Sequence, residues 1–188
     1  MSNTSLEEAS SILHHGGVVL ISTETVVGLV TSEAGLPRIR EIKGRDASKA
    51  TALLCASSED AFALARDVPP LARKLADLYW PGPLTLVLDA QEGGTVGVRV
   101  PDHAGVQALL ASYGEPLYAT SANLSGEPAV AGLEDVDLRV SGAVDVILEG
   151  EPGSGDASAV VDLSGGMVHL LRASRGLSEG TLARLSAG

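Results

Sequence analysis

The chain has 188 residues, with 24 acidic and 13 basic side chains and a formal net charge of −11. That balance excludes a general nucleic-acid coat, and the single cysteine, Cys55, excludes an internal disulfide and any zinc site of the Cys-pair type. Hydrophobic residues make up 45% of the chain and aromatics only 3%, so the core must be built from Val, Leu, Ile and Ala, which favours a layered α/β protein.

At the N-terminus "SLEE" reads as a capping box, Ser5 capping and Glu8 three residues on, for a helix that runs to about His15 and stops at Gly16-Gly17. The adjacent His14 and His15 are not a metal pair, because neighbouring helix positions point apart. This segment has no basic n-region and no long apolar run, so it is not a signal peptide. No stretch approaches the roughly 18 apolar residues of a membrane span. Together these predict a cytoplasmic protein with no membrane contact.

"VVLIS" reads as a buried strand that runs into "TETVVGL". Pro37 opens a helix, "PRIREIKG", that ends at Gly44. "ALLCA" is another buried strand, and Cys55 within it reads as a small apolar residue. "SSEDAFALARD" is a helix capped by Ser57 or Ser58, and "PPLARKLADLYW" a helix begun by prolines and ended before Pro81. "LTLVLDA" and "TVGVRV" are strands joined by the turn "QEGG", "HAGVQALLASYG" is a helix closed by Gly114, and "PLYATSAN" is a strand leading into a loop. One short helix is expected between Glu127 and Gly142. "VDVILEG", "SAVVDL" and "MVHLLR" are strands, the last two joined by "SGG" as a hairpin, and "SEGTLARL" is a closing helix. Strands alternate with helices early and are hairpin-linked late. The expected architecture is one domain over 1–188, with a mixed sheet and helices against it.

Positive charge is crowded into one place. Arg38, Arg40, Lys43, Arg45 and Lys49 fall within twelve positions, where the chain's average density would place about one. A solvated helix face paired with nearby acids is the bland alternative. Other segments at strand ends offer hydroxyls, amides or cations: "STETVVGL", "RVPDH" with Arg99, "TSANLSG", "GDAS" before a strand, and Arg172 closing "HLLR". In sheet proteins ligands collect where such loops converge. Lys43, Arg45, Lys49, Arg99 and Arg172 would supply charge. Thr23, Ser121, Asn123, Ser125 and Ser158 would supply neutral hydrogen bonds, which is the chemistry of a polyphosphate site beside a small polar substrate. There is no "GxxxxGK[ST]" loop, no "GxGxxG" and no Ser-His-Asp set.

Taken in order, "STETVVGL", "KGR", "WPGPLT", "GVRVP", "SANLSG", "SAVVDL" and "LLR" resemble the YrdC/TsaC family of threonylcarbamoyl-AMP synthases, from about Leu6 to Arg172. The resemblance implies an open, twisted α/β sheet with flanking helices and a concave, positively charged cavity, in the short single-domain form. It implies a nucleotidyltransferase that joins L-threonine, bicarbonate and ATP into threonylcarbamoyl-AMP, with ATP as a substrate and Mg²⁺ held mainly through the phosphates. The product would pass to downstream tRNA threonylcarbamoyl-transfer proteins that make the t6A modification. By resemblance Thr23, Arg99 and Ser158 hold the threonine. Lys43 and Arg45 are the catalytic cations, and with Lys49, Ser121, Asn123, Ser125 and Arg172 they hold the nucleotide. This sequence departs from the family pattern at Ser22 (Pro), Val27 (Tyr), Ala50 (Pro), Ala159 (Thr) and in the tail "LRASRG". The expected effect of Val27 is loss of a polar aromatic wall near the substrate, and of Ala159 loss of a hydroxyl. The alternative these departures leave open is a divergent paralogue that binds nucleotide, or tRNA or other double-stranded RNA, without threonine-dependent activity.

Overall fold

The computed structural model describes residues 5–44 and 51–187. Their order is α1 (Leu6–His14), β1 (Val18–Ile21), β2 (Gly28–Thr31), α2 (Leu36–Lys43), β3 (Ala52–Leu54), α3 (Ser58–Ala63), α4 (Pro70–Tyr79), β4 (Leu84–Asp89), β5 (Thr95–Arg99), α5 (Ala104–Tyr113), β6 (Leu117–Ser121), α6 (Leu138–Ser141), β7 (Val146–Leu148), β8 (Ala159–Asp162), β9 (His169–Arg172) and α7 (Glu179–Ser186). The local signals act where the sequence puts them. Ser5 accepts from Glu8 N at 3.1 Å, Ser57 accepts from Asp60 N at 3.1 Å, and Gly44 and Gly114 close their helices in the left-handed conformation. The region expected to hold one short helix holds α6 and, before it, a 3₁₀ turn over Leu133–Asp135.

Among the described residues the strands form one mixed sheet in the order β7-β1-β2-β6-β3-β5-β4-β8-β9. β1–β2, β2–β6, β3–β6, β4–β5 and β8–β9 are antiparallel, and β1–β7, β3–β5 and β4–β8 are parallel. Three buried clusters cover it. One joins Leu13 of α1, Val19 and Ile21 of β1, and Val106, Leu109 and Leu110 of α5. A second joins Val18, Leu20, Val27 and Leu29 to Ile39 and Ile42 of α2 and Val140 of α6. The third joins Leu84, Leu86 and Leu88 of β4 and Val98 of β5 to Leu75 of α4 and Leu182 of α7. Successive side chains on a strand point to opposite faces. With Leu84, Leu86, Val98, Ala159 and Val161 in the third cluster, the opposite face at this end of the sheet carries Thr85, Arg99 and Ser158.

A β-bulge brings Arg172 to that face. Val161 faces Leu170, but Val160 faces Arg172, so Leu171 is the extra residue. A bulge reverses the alternation beyond it. Leu170 packs on the third cluster, whereas Arg172 lies beside Val160 on the face of Ser158.

Candidate functional site

The first part of the site is built on β4, β5, β8 and β9. Arg99 is 8% exposed. Its Nε donates to the carbonyl of Gly82 at 3.2 Å, and its Nη2 donates to Glu24 Oε1 at 2.6 Å and to Thr25 Oγ1 at 3.1 Å. Gly82 is required by the turn after α4: at φ +156 a Cβ would stand 2.6 Å from the carbonyl oxygen of Tyr79. Arg172 donates from Nε to the carbonyl of Ser158 at 2.6 Å and from Nη2 to its hydroxyl at 3.1 Å. Ser158 Oγ also lies 3.0 Å from Thr85 Oγ1. Desolvation, with the Arg99 cation adding to it, lowers the pKa of Arg172 from the ordinary guanidinium value. Two guanidiniums are thus held close enough to feel each other, and only Arg99 has a carboxylate partner among the described residues.

The loop between β1 and β2 lies against this pair. Thr23 Oγ1 donates to the carbonyl of Val26 at 2.7 Å and accepts from the amides of Thr25 at 3.1 Å and Val26 at 3.3 Å. A hydroxyl has one proton. Since that of Thr23 goes to Val26, the 2.9 Å bond between the two threonine hydroxyls is donated by Thr25. The result is a directed chain from Arg99 through Thr25 and Thr23 to a backbone carbonyl. A segment before β8 straps this loop down. Gly153 N donates to Ala131 O at 3.1 Å, Ser154 N to Glu24 O at 3.0 Å and Gly155 N to Thr25 O at 2.8 Å. A Cβ at Gly153 would stand 2.5 Å from the carbonyl oxygens of both Thr23 and Thr25. The "GEPGSGDAS" segment is therefore seated on the loop between β1 and β2.

The second part is built on α2 and the end of β6. Lys43, in the last turn of α2, is 4% exposed. Its ammonium donates to the carbonyl of Ser121, to the carbonyl of Asn123 at 2.7 Å and to Asn123 Oδ1 at 3.1 Å. Ser121 Oγ donates to Asn123 Oδ1, Asn123 Nδ2 donates to Leu124 O at 3.2 Å and to Glu127 O, and Ser125 N donates to Lys43 O at 3.0 Å. Lys43 therefore shapes the "TSANLSG" loop as well as carrying charge. The two parts meet at Gly28, whose Cβ position is 3.6 Å from the Thr23 methyl and 3.7 Å from the Thr120 carbonyl, and which pairs with Ser121 across the sheet.

Of the expected residues, Thr23, Arg99, Ser158 and Arg172 come together in the first part, and Lys43, Ser121, Asn123 and Ser125 in the second. Arg45 and Lys49 lie outside the described residues. Of "KGR", Lys43 ends helix α2 and Gly44 caps it, so these two close a helix and not a strand. Arg38 turns away from the site, with Nη1 2.7 Å from both oxygens of Asp145. Clefts of about 460 and 470 Å³ flank it on that outer side, one against Glu41 and Arg139 and the other against His15 and Asp145. Val27 and Ala159, where the sequence departs from the family pattern, lie in the core. Val27 is 0% exposed and Ala159 1% exposed, and each packs in an apolar cluster. The sequence reading missed Glu24, Thr25 and Thr85. An acid between two threonines just after a buried strand was the available signal, since such a group needs a cation.

A face of a mixed sheet bearing two neighbouring guanidiniums, ringed by hydroxyls and strapped by a glycine-bearing segment, is an α/β site with the chemistry to hold an anion. A family described as telomere recombination, comprising Sua5, YciO and YrdC, matches residues 11–174. The chain is 37% identical over 169 residues to the threonylcarbamoyl-AMP synthase of Pyrococcus abyssi, covering 83% of this chain and 50% of that protein. It is 33% identical over 160 residues to the Vibrio cholerae synthase, covering 78% and 85%. Among solved structures, P. abyssi Sua5 complexed with L-threonine superposes with a TM-score of 0.87 at 34% identity, over 96% of this chain and 56% of that one. E. coli YciO superposes with a TM-score of 0.82 at 25% identity, over 93% and 91%. The chain belongs to the Sua5/YciO/YrdC family. It spans about half the length of the P. abyssi synthase and most of the length of the V. cholerae one.

Proposed function

We propose that the chain is a threonylcarbamoyl-AMP synthase, which joins L-threonine, bicarbonate and ATP and releases pyrophosphate. The observation that carries this reading is the convergence of Arg99, Arg172 and Ser158 under the Thr23–Thr25 loop, in a chain 34% identical to a protein solved with L-threonine. An amino acid brings a carboxylate to the guanidiniums. Arg99 and Ser158 hold it directly, and Thr23 contributes by fixing the loop above them. Arg172, bonded to Ser158, stands where the amino acid meets the nucleotide. Lys43 and Arg45 are the catalytic cations, and with Lys49, Ser121, Asn123 and Ser125 they hold ATP. The departures at Val27 and Ala159 sit in the core, so they leave threonine recognition intact.

The reaction asks little covalent chemistry of the protein. The threonine amine captures carbon dioxide or bicarbonate as a carbamate, whose oxygen attacks the α-phosphate in line with departing pyrophosphate. Positioning and fixed charge supply the acceleration. Among the described residues no three His, Cys, Asp or Glu side chains gather as a resident metal would need. Mg²⁺ enters with ATP and is held by its phosphates. The product then serves enzymes that transfer the group to tRNA.

The test is pyrophosphate release from Mg²⁺-ATP in bicarbonate buffer, with and without L-threonine. Threonine-dependent release is expected. Release that ignores threonine, or none at all with ATP still bound, refutes the reading and favours the divergent nucleotide- or RNA-binding paralogue. Arg45→Ala is expected to weaken ATP binding, and full retention of affinity would remove Arg45 from the site.

A further inference from the structure

We infer that Glu24 recognises the amine of the substrate through Oε2, and that this contact makes the site select an α-amino acid over the matching α-hydroxy acid. The inference rests on the reading that this site takes an amino acid.

Glu24 lies in the loop between β1 and β2, its side chain 18% exposed against the 10% exposed Arg99. Its two oxygens have different surroundings. Oε1 accepts from Arg99 Nη2 at 2.6 Å and from the amide of Asp102 at 3.0 Å. Oε2 is shielded from solvent and has no hydrogen-bond donor among the described residues. Buried acceptors without donors are rare, and each calls for a reason. The neighbouring hydroxyls cannot supply the donor. The proton of Thr23 goes to Val26 O, and that of Thr25 goes to Thr23. Asp102 N is already on Oε1, and the amides of Ser154 and Gly155 are spent on the carbonyls of Glu24 and Thr25. Among the described residues no donor completes Glu24, which leaves Oε2 open to a donor on a ligand.

Charge says which donor. Arg99 and Arg172 present two cations side by side, and Glu24 is the carboxylate that touches Arg99. An α-amino acid carries an anion and a cation on one carbon. Its carboxylate matches the guanidiniums, and its ammonium then falls to the acceptor beside them. A 2-hydroxy acid keeps the first match but offers Glu24 a neutral hydroxyl in place of the ammonium, so a hydrogen bond remains and the attraction between opposite charges is lost.

The experiment is calorimetric binding of L-threonine and of its 2-hydroxy counterpart, 2,3-dihydroxybutanoate, to the full chain and to Glu24→Gln and Glu24→Asp, with the melting temperature of each protein recorded. The wild type is expected to prefer threonine. Glu24→Gln keeps the shape and loses the charge, so threonine affinity should fall roughly 10- to 100-fold, the scale of one bond to a charged group. The hydroxy acid should be little affected, so the preference collapses. A folded Glu24→Gln that loses both ligands equally, or keeps wild-type threonine affinity, overturns the inference and leaves Glu24 as a support for Arg99. If Glu24→Gln does not fold, Glu24→Asp decides, because it keeps the charge but withdraws it by one methylene. A reduced preference supports the inference and an unchanged one overturns it. A wild type that prefers threonine while the variants behave as wild type refutes only the role of Glu24. A wild type that binds neither acid refutes the amino-acid reading itself, and the inference falls with it.

Discussion

Arg172 grips Ser158 with two hydrogen bonds, one to its carbonyl at 2.6 Å and one to its hydroxyl at 3.1 Å, and no described carboxylate neutralises it. Its partners are neutral, and its charge is set beside that of Arg99. Like charges held together in a folded protein cost stability and suit a ligand of opposite sign. Arg172→Ala should therefore weaken substrate capture by about 2–5 kcal/mol while leaving the melting temperature nearly unchanged. Threonine KM and a thermal melt read the two effects separately. A large melting-temperature loss with unchanged KM would assign Arg172 to structure alone.

Val27 and Ala159 give the opposite pattern. Both are enclosed by apolar side chains, at 0% and 1% exposure. Restoring the family's residues with Val27→Tyr or Ala159→Thr should overpack the core or bury a hydroxyl, at about 1–3 kcal/mol each. Neither should lower the KM for threonine. Denaturant melts and steady-state kinetics test this, and a gain in threonine use without loss of stability would place those side chains at the substrate after all.

Gly153 seats the strap on the threonine loop by a backbone approach that a methyl group would block, 2.5 Å from two carbonyl oxygens. Gly153→Ala should lift the strap, raise the threonine KM and leave ATP affinity near wild type. Equal losses for both substrates would mean that the strap serves the whole site.

Burial, reinforced by the charge of Asp60, pushes the Cys55 thiol up to about 12. The sign follows from linkage. The folded protein holds this proton more tightly than the unfolded chain, whose thiol keeps its ordinary value of 9.0. The resulting stability is complete below pH 9 and is lost as pH rises through about 12. Cys55→Ala should flatten the alkaline fall of the unfolding free energy relative to wild type. Native protein at pH 8 should also resist thiol labelling until it unfolds. Rapid labelling of the native state would contradict the burial.

The elements legible in the sequence were those written locally. Ser5 and Ser57 cap their helices, Gly44 and Gly114 end theirs, and "SGG" turns β8 into β9. What stayed hidden depends on register and on distant partners. The ion pair of Arg99 with Glu24 spans 75 positions, and β7 joins β1 from the far end of the chain. Motif position does not say which way Val27 and Ala159 face, because that depends on which side of the sheet is covered, and helices far along the chain decide that. Arg172 was found by motif, but nothing local announces the bulge that turns it toward Ser158.

Among the described residues β9 is an outer strand, hydrogen-bonded to β8 and to no other strand of the sheet. Backbone at such an edge opens to solvent more readily than backbone within the sheet, so its amides should exchange with deuterated water well before those of β2 or β6. The cation at its end thus rides on one of the less secured stretches of the sheet. A substrate bridging Arg172 and Arg99 would tie that edge to the interior, and occupancy of the site would register as slowed amide exchange along His169–Arg172.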